Sequence, residues 1–368
     1  MTYRRVLALT KYGRMGASSR MRTWQYLPFL EQCELGVTAQ ALLPDQQLES
    51  RYTSGSYGPG FLLKAYGARI AALLERRKFD AVWIEKEALP WLPAWLERAL
   101  LSGVPYVLDY DDAIFHNYDL HPSALVRSLY ARRLDKLMAG AALVVGGNGY
   151  LAHRARSAGA RWVEVLPTPV DLERYTCADK NEVAMSEVPR IVWVGSPTGT
   201  RYLQLLREPL AALARRRPFK LRVIGAGKVD MPGVDVEAMP WSEATEVQAI
   251  GECAIGVMPL VDSPWERGKC GYKLIQYMAC SLPVVASGVG VNPEIVQHGA
   301  NGCLASTPEQ WERALAMLLD DAELRTCWGR AGREVVEARY SLQRTRPQLG
   351  QWLRTVATPA ANDEGRGL

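Results

Sequence analysis

The residues best placed to do chemistry lie in one stretch, Gly268-Lys-Cys-Gly-Tyr-Lys-Leu-Ile-Gln-Tyr-Met-Ala-Cys-Ser-Leu-Pro-Val-Val-Ala-Ser287. Gly268 and Gly271 flank a turn that carries Lys269, and Lys273 follows it. A short helix, Leu274 to Cys280, follows, and Pro283 leads into an apolar strand at Val284–Ala286. Backbone N–H groups and lysines at a helix N-terminus suit a phosphate, because unpaired amides and the helix dipole both favour negative charge there. Lys273 falls in the first turn, where a cation is misplaced unless an anion is bound.

Arg201 repeats that signal. It closes Gly195-Ser-Pro-Thr-Gly199-Thr-Arg201, after an apolar strand at Ile191–Val194. A guanidinium can hold two phosphate oxygens and stays charged at any working pH. The plain alternative is a surface arginine at a helix start. Near the N-terminus, Gly13 and Gly16 follow strand Val6–Leu9, with Arg14, Arg20 and Arg22 close by. Glycines let a backbone approach a ligand, and arginines can meet a phosphate or an anionic acceptor. A simple strand-to-helix turn would look the same. Asp109, Asp111 and Asp112 end another apolar strand. They read as a metal-binding Asp-x-Asp or as a helix cap by Asp112. His116, four residues on, is either a proton carrier or structural.

These residues need strands and helices to hold them. Apolar runs at Val6–Leu9, Ala81–Ile84, Tyr106–Leu108, Ala142–Val145 and Val163–Leu166 alternate with helical patterns. The second half repeats the theme at Ile191–Val194, Leu221–Ile224, Ile255–Met258 and Val284–Ala286. Such alternation predicts parallel βαβ units. At 368 residues the chain suits two domains. We set these at 1–174 and 189–340, with a polar linker at Tyr175–Val188. A last helix over 341–356 and a small, polar, disordered tail over 357–368 complete the chain.

Several segments resemble the family 4 (group 1) retaining glycosyltransferases. Met278-Ala279 and Pro283-Val284-Val285 match that family's donor-binding frame, whose two glutamate positions fall here on Gly268 and Gln276. The N-terminal strand, glycine loop and helix (Trp24 to Leu30) resemble a family member's start. Val104-Pro-Tyr-Val-Leu-Asp109-Tyr-Asp111-Asp112 resembles its strand ending in His-Asp, with Asp111 in the histidine's place. Leu166-Pro-Thr168-Pro-Val-Asp171 and Arg190-Ile-Val-Trp-Val-Gly195 resemble the end of its first domain and the start of its second.

The resemblance implies a GT-B α/β fold: two facing Rossmann-like domains with a deep cleft, the first for acceptor and the second for nucleotide-sugar, with the last helix crossing back. It implies transfer of a hexosyl group from a nucleotide-diphosphate sugar to an acceptor hydroxyl with retention, without metal or cofactor, in bacterial-type surface glycan or glycolipid synthesis. Gly195, Arg201 and Lys273 would meet the diphosphate, with Gly271 in the same turn. Gln276 would meet the ribose and Trp241, after Pro240, the base. Asp111 and Asp112 would orient sugar or acceptor. A GT-B nucleotide-sugar epimerase and a catalytically silent nucleotide-sugar binder stay open beside the transferase.

The net charge of +5 is uneven. Residues 1–170 hold 21 Lys+Arg and 15 Asp+Glu, so +6, and the remainder, 23 minus 24, is −1. An anionic partner for the first half is one reading, and an ordinary solvated surface is the other. The basic amphipathic segment Arg127–Leu137 either lies on an anionic membrane or forms a solvated helix face. Seven cysteines without a Cys-x-x-Cys pair, no signal peptide and no span of ~20 apolar residues point to the cytoplasm, at most peripheral at the inner face of the membrane. We expect no nucleic-acid partner.

Overall fold

The computed structural model describes residues 3–48, 57, 59–176 and 188–358. Most of the expected linker and nearly all of the expected tail lie outside these. The chain divides into two compact units, Met1–Thr168 with Thr345–Leu368, and Pro169–Arg344. Among the described residues no helix is long and apolar enough to cross a membrane.

The first unit is built on a six-stranded parallel sheet: β1 (Arg4–Tyr12), β2 (Leu35–Leu43), β3 (Ala81–Glu85), β4 (Tyr106–Tyr110), β5 (Leu143–Gly146) and β6 (Val163–Val165), in spatial order 2-1-3-4-5-6. β3, β4 and β5 are buried along their whole length. That is why they read as unbroken apolar runs, since helices cover both faces of a parallel sheet. β2, an edge strand absent from the sequence reading, is only partly buried.

The second unit holds β7 (Arg190–Val194), β8 (Lys220–Ile224), β9 (Asp235–Met239), β10 (Ile255–Met258), β11 (Val284–Ala286) and β12 (Gly302–Leu304), all parallel, in order 12-11-10-7-8-9. The helix Tyr272–Ala279 buries Leu274, Ile275, Tyr277 and Met278 against one sheet face. The 18-residue helix Ala322–Arg339 packs on it through glycines: a Cβ on Gly332 would fall 2.9 Å from Met278 Cγ, and one on Gly329 would fall 2.1 Å from Ser281 O. The helix Leu342–Ala357 starts in this unit and continues into the first.

Candidate functional site

In the second unit the chain changes direction at β7. β8 and β9 lie on one side of it, and β10, β11 and β12 on the other. Ligands of open α/β sheets collect beyond the carboxyl ends of the strands at such a point. The two loops leaving it are joined by one cluster. After β7 come Gly195 and a short helix, Thr200–Leu203, bearing Arg201 and Tyr202. After β10 come Ser263 and the turn Pro264–Arg267, bearing Glu266.

Glu266 is buried. It accepts from the Tyr202 hydroxyl at 2.5 Å, from Arg201 Nη2 at 3.3 Å and from the Ser263 hydroxyl. Burial alone would raise its pKa, but the hydrogen bonds from Ser263 and Tyr202 outweigh that and hold the carboxyl below its ordinary value. Arg201 keeps two-thirds of its side chain exposed and lays its guanidinium 4.7 Å from the Tyr202 ring centre. Lys269 Nζ stands 5.7 Å from the same ring. Lys273 Nζ lies 5.7 Å from the ring of Trp193, which also lines Gly195 and Gly199. A cation at the start of Tyr272–Ala279 is thus set beside the loop that bears Arg201. Gly271, the N-cap, has φ +65°, and no side chain caps the helix there. A Cβ at that position would collide with Ile295 Cδ1 at 2.3 Å.

Gln276 and Trp241 share a second network. Gln276 is buried and donates to Tyr175 at 2.7 Å; Tyr175 donates to Glu246 at 3.3 Å, and Trp241 Nε1 donates to Glu246 at 2.7 Å. Trp241 also lies against the loop after β8. A Cβ on Gly225 (φ +87°) would sit 3.0 Å from both Trp241 Cβ and Gly195 O.

The first unit has its own switch point, between β1 and β3. Here the structure gathers residues that the sequence reading missed. Glu85 ends β3 and Lys86 follows with φ +65°. Lys86 Nζ lies 2.9 Å from Asp111 Oδ1, 3.7 Å from Glu85 and 4.0 Å from Asp112, and donates to Ser18 Oγ at 2.7 Å. Ser18 bonds both Asp111, at 2.5 Å, and Glu85, at 2.8 Å. Burial opposes the charge on Lys86, but Asp111, Glu85 and Asp112 outweigh it and raise the pKa. Burial likewise opposes the Asp111 carboxylate, and Lys86 with Ser18 pulls it below the ordinary value. Asp109 turns the other way, fully buried, with Arg22 Nη2 at 2.7 Å. Burial, partly offset by Arg22, pushes Asp109 up to about 6. Among the described residues no three His, Cys, Asp or Glu side chains converge in a way that could hold a metal ion.

The remaining candidates make contacts within the first unit. Arg22 is an internal brace to Asp109, Leu166 O and Thr168, and Arg20 braces the loop through the carbonyls of Arg14 and Met15. Neither is a surface cation: both are buried. Gly13 lets Asp45 approach, where Asp45 accepts from Met15 N at 2.9 Å, and Gly16 makes room for the Tyr12 side chain. His116 spends one ring nitrogen on Asp119 at 2.7 Å and the other on Tyr150 at 2.9 Å. Both ring nitrogens are thus engaged within the unit.

Residues 188–321 match the family model described as glycosyl transferases group 1. The GDP-mannose-dependent alpha-(1-6)-phosphatidylinositol monomannoside mannosyltransferase of Mycobacterium tuberculosis is 25% identical over 312 residues, covering 78% of each chain. Among solved structures, sucrose-phosphate synthase from Thermosynechococcus elongatus superposes with a TM-score of 0.69 at 14% identity, covering 96% of this chain and 99% of its own. The Anabaena protein Alr3699/HepE in complex with UDP-glucose superposes with a TM-score of 0.66 at 16% identity, covering 96% and 100%. The fold is GT-B. The chain is similar to glycosyltransferases of group 1.

Proposed function

We propose that the protein moves a hexosyl group from a nucleotide-diphosphate sugar to a hydroxyl of a glycan or lipid-linked acceptor, with retention of configuration, and that it works in glycan or glycolipid synthesis. The observation that carries this reading is the cationic cluster at the β7/β10 switch point: Arg201 pinned by Glu266 and Tyr202, with Lys269 and Lys273 alongside. As the glycosidic bond breaks, the diphosphate gains negative charge. Fixed cations and the start of the helix Tyr272–Ala279 stabilise that charge without reorganising. In this reading they do the work that a divalent ion would otherwise do, and no further cofactor is needed. Trp241 and Gln276 serve the nucleoside.

The acceptor falls to the first unit in this proposal. Ser18, Asp111 and Asp112 are its polar groups, and Lys86 keeps Asp111 ionised as a hydrogen-bond acceptor. The relatives support the donor class: Alr3699/HepE was solved with UDP-glucose, and the mycobacterial relative is named for GDP-mannose and a phosphatidylinositol mannoside.

The test is a panel of UDP-, GDP-, ADP- and dTDP-sugars with candidate acceptors, read as free nucleoside diphosphate and as product anomer by NMR. One donor should release diphosphate only with acceptor and give a product that keeps the donor's anomeric configuration. An inverted product, or donor turnover to an epimer without acceptor, would contradict the reading.

A further inference from the structure

One face of the first unit carries none of the residues assigned to the transfer above. The segment Arg127–Leu137 does not form one amphipathic helix. It breaks into Ala124–Tyr130 and Arg133–Met138, and Arg133 turns inward to hold Glu87 and Glu97. What the first of these helices turns outward is apolar. Leu125 and Leu129, four residues apart and so on one helix face, are 68% and 66% exposed. Trp95, from the helix Ala94–Leu101, is 69% exposed.

Trp95 and Leu129 line one hollow together with Arg98 and Lys136. A wider groove shares Trp95 and Arg98 and adds Arg161. No carboxylate lines either one. The acids on the neighbouring helices are committed elsewhere: Glu97 is buried against Arg133, and Asp135 pairs with Arg154 and Arg132.

An exposed indole and leucines ringed by cations match a lipid headgroup boundary. Apolar side chains enter the acyl edge, tryptophan sits at headgroup level, and Lys and Arg meet anionic lipids. A second copy of the chain fits poorly, because a two-fold contact would set Arg98, Lys136 and Arg161 near their own equivalents. We propose that this face, centred on Trp95 and Leu129, docks on an anionic lipid bilayer. The inference does not rest on the donor-site reading.

Vesicle co-sedimentation of the full chain tests it. Protein should pellet with phosphatidylcholine vesicles that contain phosphatidylglycerol, far less with phosphatidylcholine alone, and less again at high salt. Arg98→Gln with Lys136→Gln should weaken binding roughly 25-fold, since each cation near such a surface is worth about five-fold. Trp95→Ser with Leu129→Ser should weaken it about ten-fold or more, while Leu205→Ser, an exposed leucine of the second unit, should change nothing. Thermal melts verify that each variant is folded, and turnover on a soluble acceptor should stay at the wild-type level. Equal pelleting with and without phosphatidylglycerol, or full binding by both double variants, would overturn the proposal. So would a dimer in sedimentation velocity that Trp95→Ser dissolves.

Discussion

Arg201 and Glu266 meet at 3.3 Å, joining the loop after β7 to the loop after β10 in the second unit. The sequence separates them by 65 residues. In the proposed function their contact makes Glu266 a positioning residue: it holds a cation whose face rests on Tyr202, and it does not itself need to touch substrate. Glu266→Gln keeps an acceptor for Tyr202 but weakens the hold on Arg201. We expect kcat/KM to fall about ten-fold, near 1.4 kcal/mol. A double-mutant cycle checks the cause: in an Arg201→Ala background, Glu266→Gln should cost little more. Additive losses would mean that Glu266 acts on its own account.

Lys86 is the linchpin of the polar cluster in the first unit. It is buried beside Glu85 and Asp111 and bonded to both Asp111 and Ser18. Lys86→Met would leave two carboxylates in one buried pocket without their cation. Breaking such an arrangement typically costs about 3–5 kcal/mol. Urea unfolding at neutral pH should show that loss, and adding Asp111→Asn should restore part of it. A loss under ~1 kcal/mol would mean that water already screens the cluster.

Asp109 gives a pH dependence of defined sign. Its carboxyl sits near 6 when folded, against an ordinary 3.8. The folded state therefore binds the proton more tightly, and the group's contribution to stability falls as pH rises through this window, then levels off. Asp109→Asn cannot titrate. Wild type should lose ground to this variant from pH ~4 to ~6, and the two should run parallel above that. If wild type gained on the variant over the same window, Arg22 would be holding the carboxyl down instead.

The sequence made some of this visible and hid the rest for physical reasons. β3, β4 and β10 are buried on both faces, so their apolar runs stand out. β2 lies at the sheet edge with mixed burial, and Leu-Gly-Val-Thr-Ala-Gln-Ala-Leu-Leu lacks a clean period. The helix Ala322–Arg339 carries Gly329 and Gly332, which look like breakers but serve as close-contact points on its neighbour. Arg201 and Lys273 stand out in the sequence as candidates because cations at helix starts conflict with the dipole. Glu85 and Lys86 were not, because Ile84-Glu-Lys-Glu87 looks like a solvated turn. Only the β1/β3/β4 adjacency brings Ser18 and Asp111 to Lys86.

The central claim is that the second unit grips a nucleotide diphosphate through Arg201 and Lys273. Thermal shift against UDP, GDP, ADP and dTDP tests it most directly, since a ligand at a hundred times its Kd adds about 2.7 kcal/mol. One nucleotide should stabilise the wild type, and Arg201→Ala and Lys273→Ala should each remove most of that shift while melting normally on their own. Full wild-type shifts in both variants would contradict the claim.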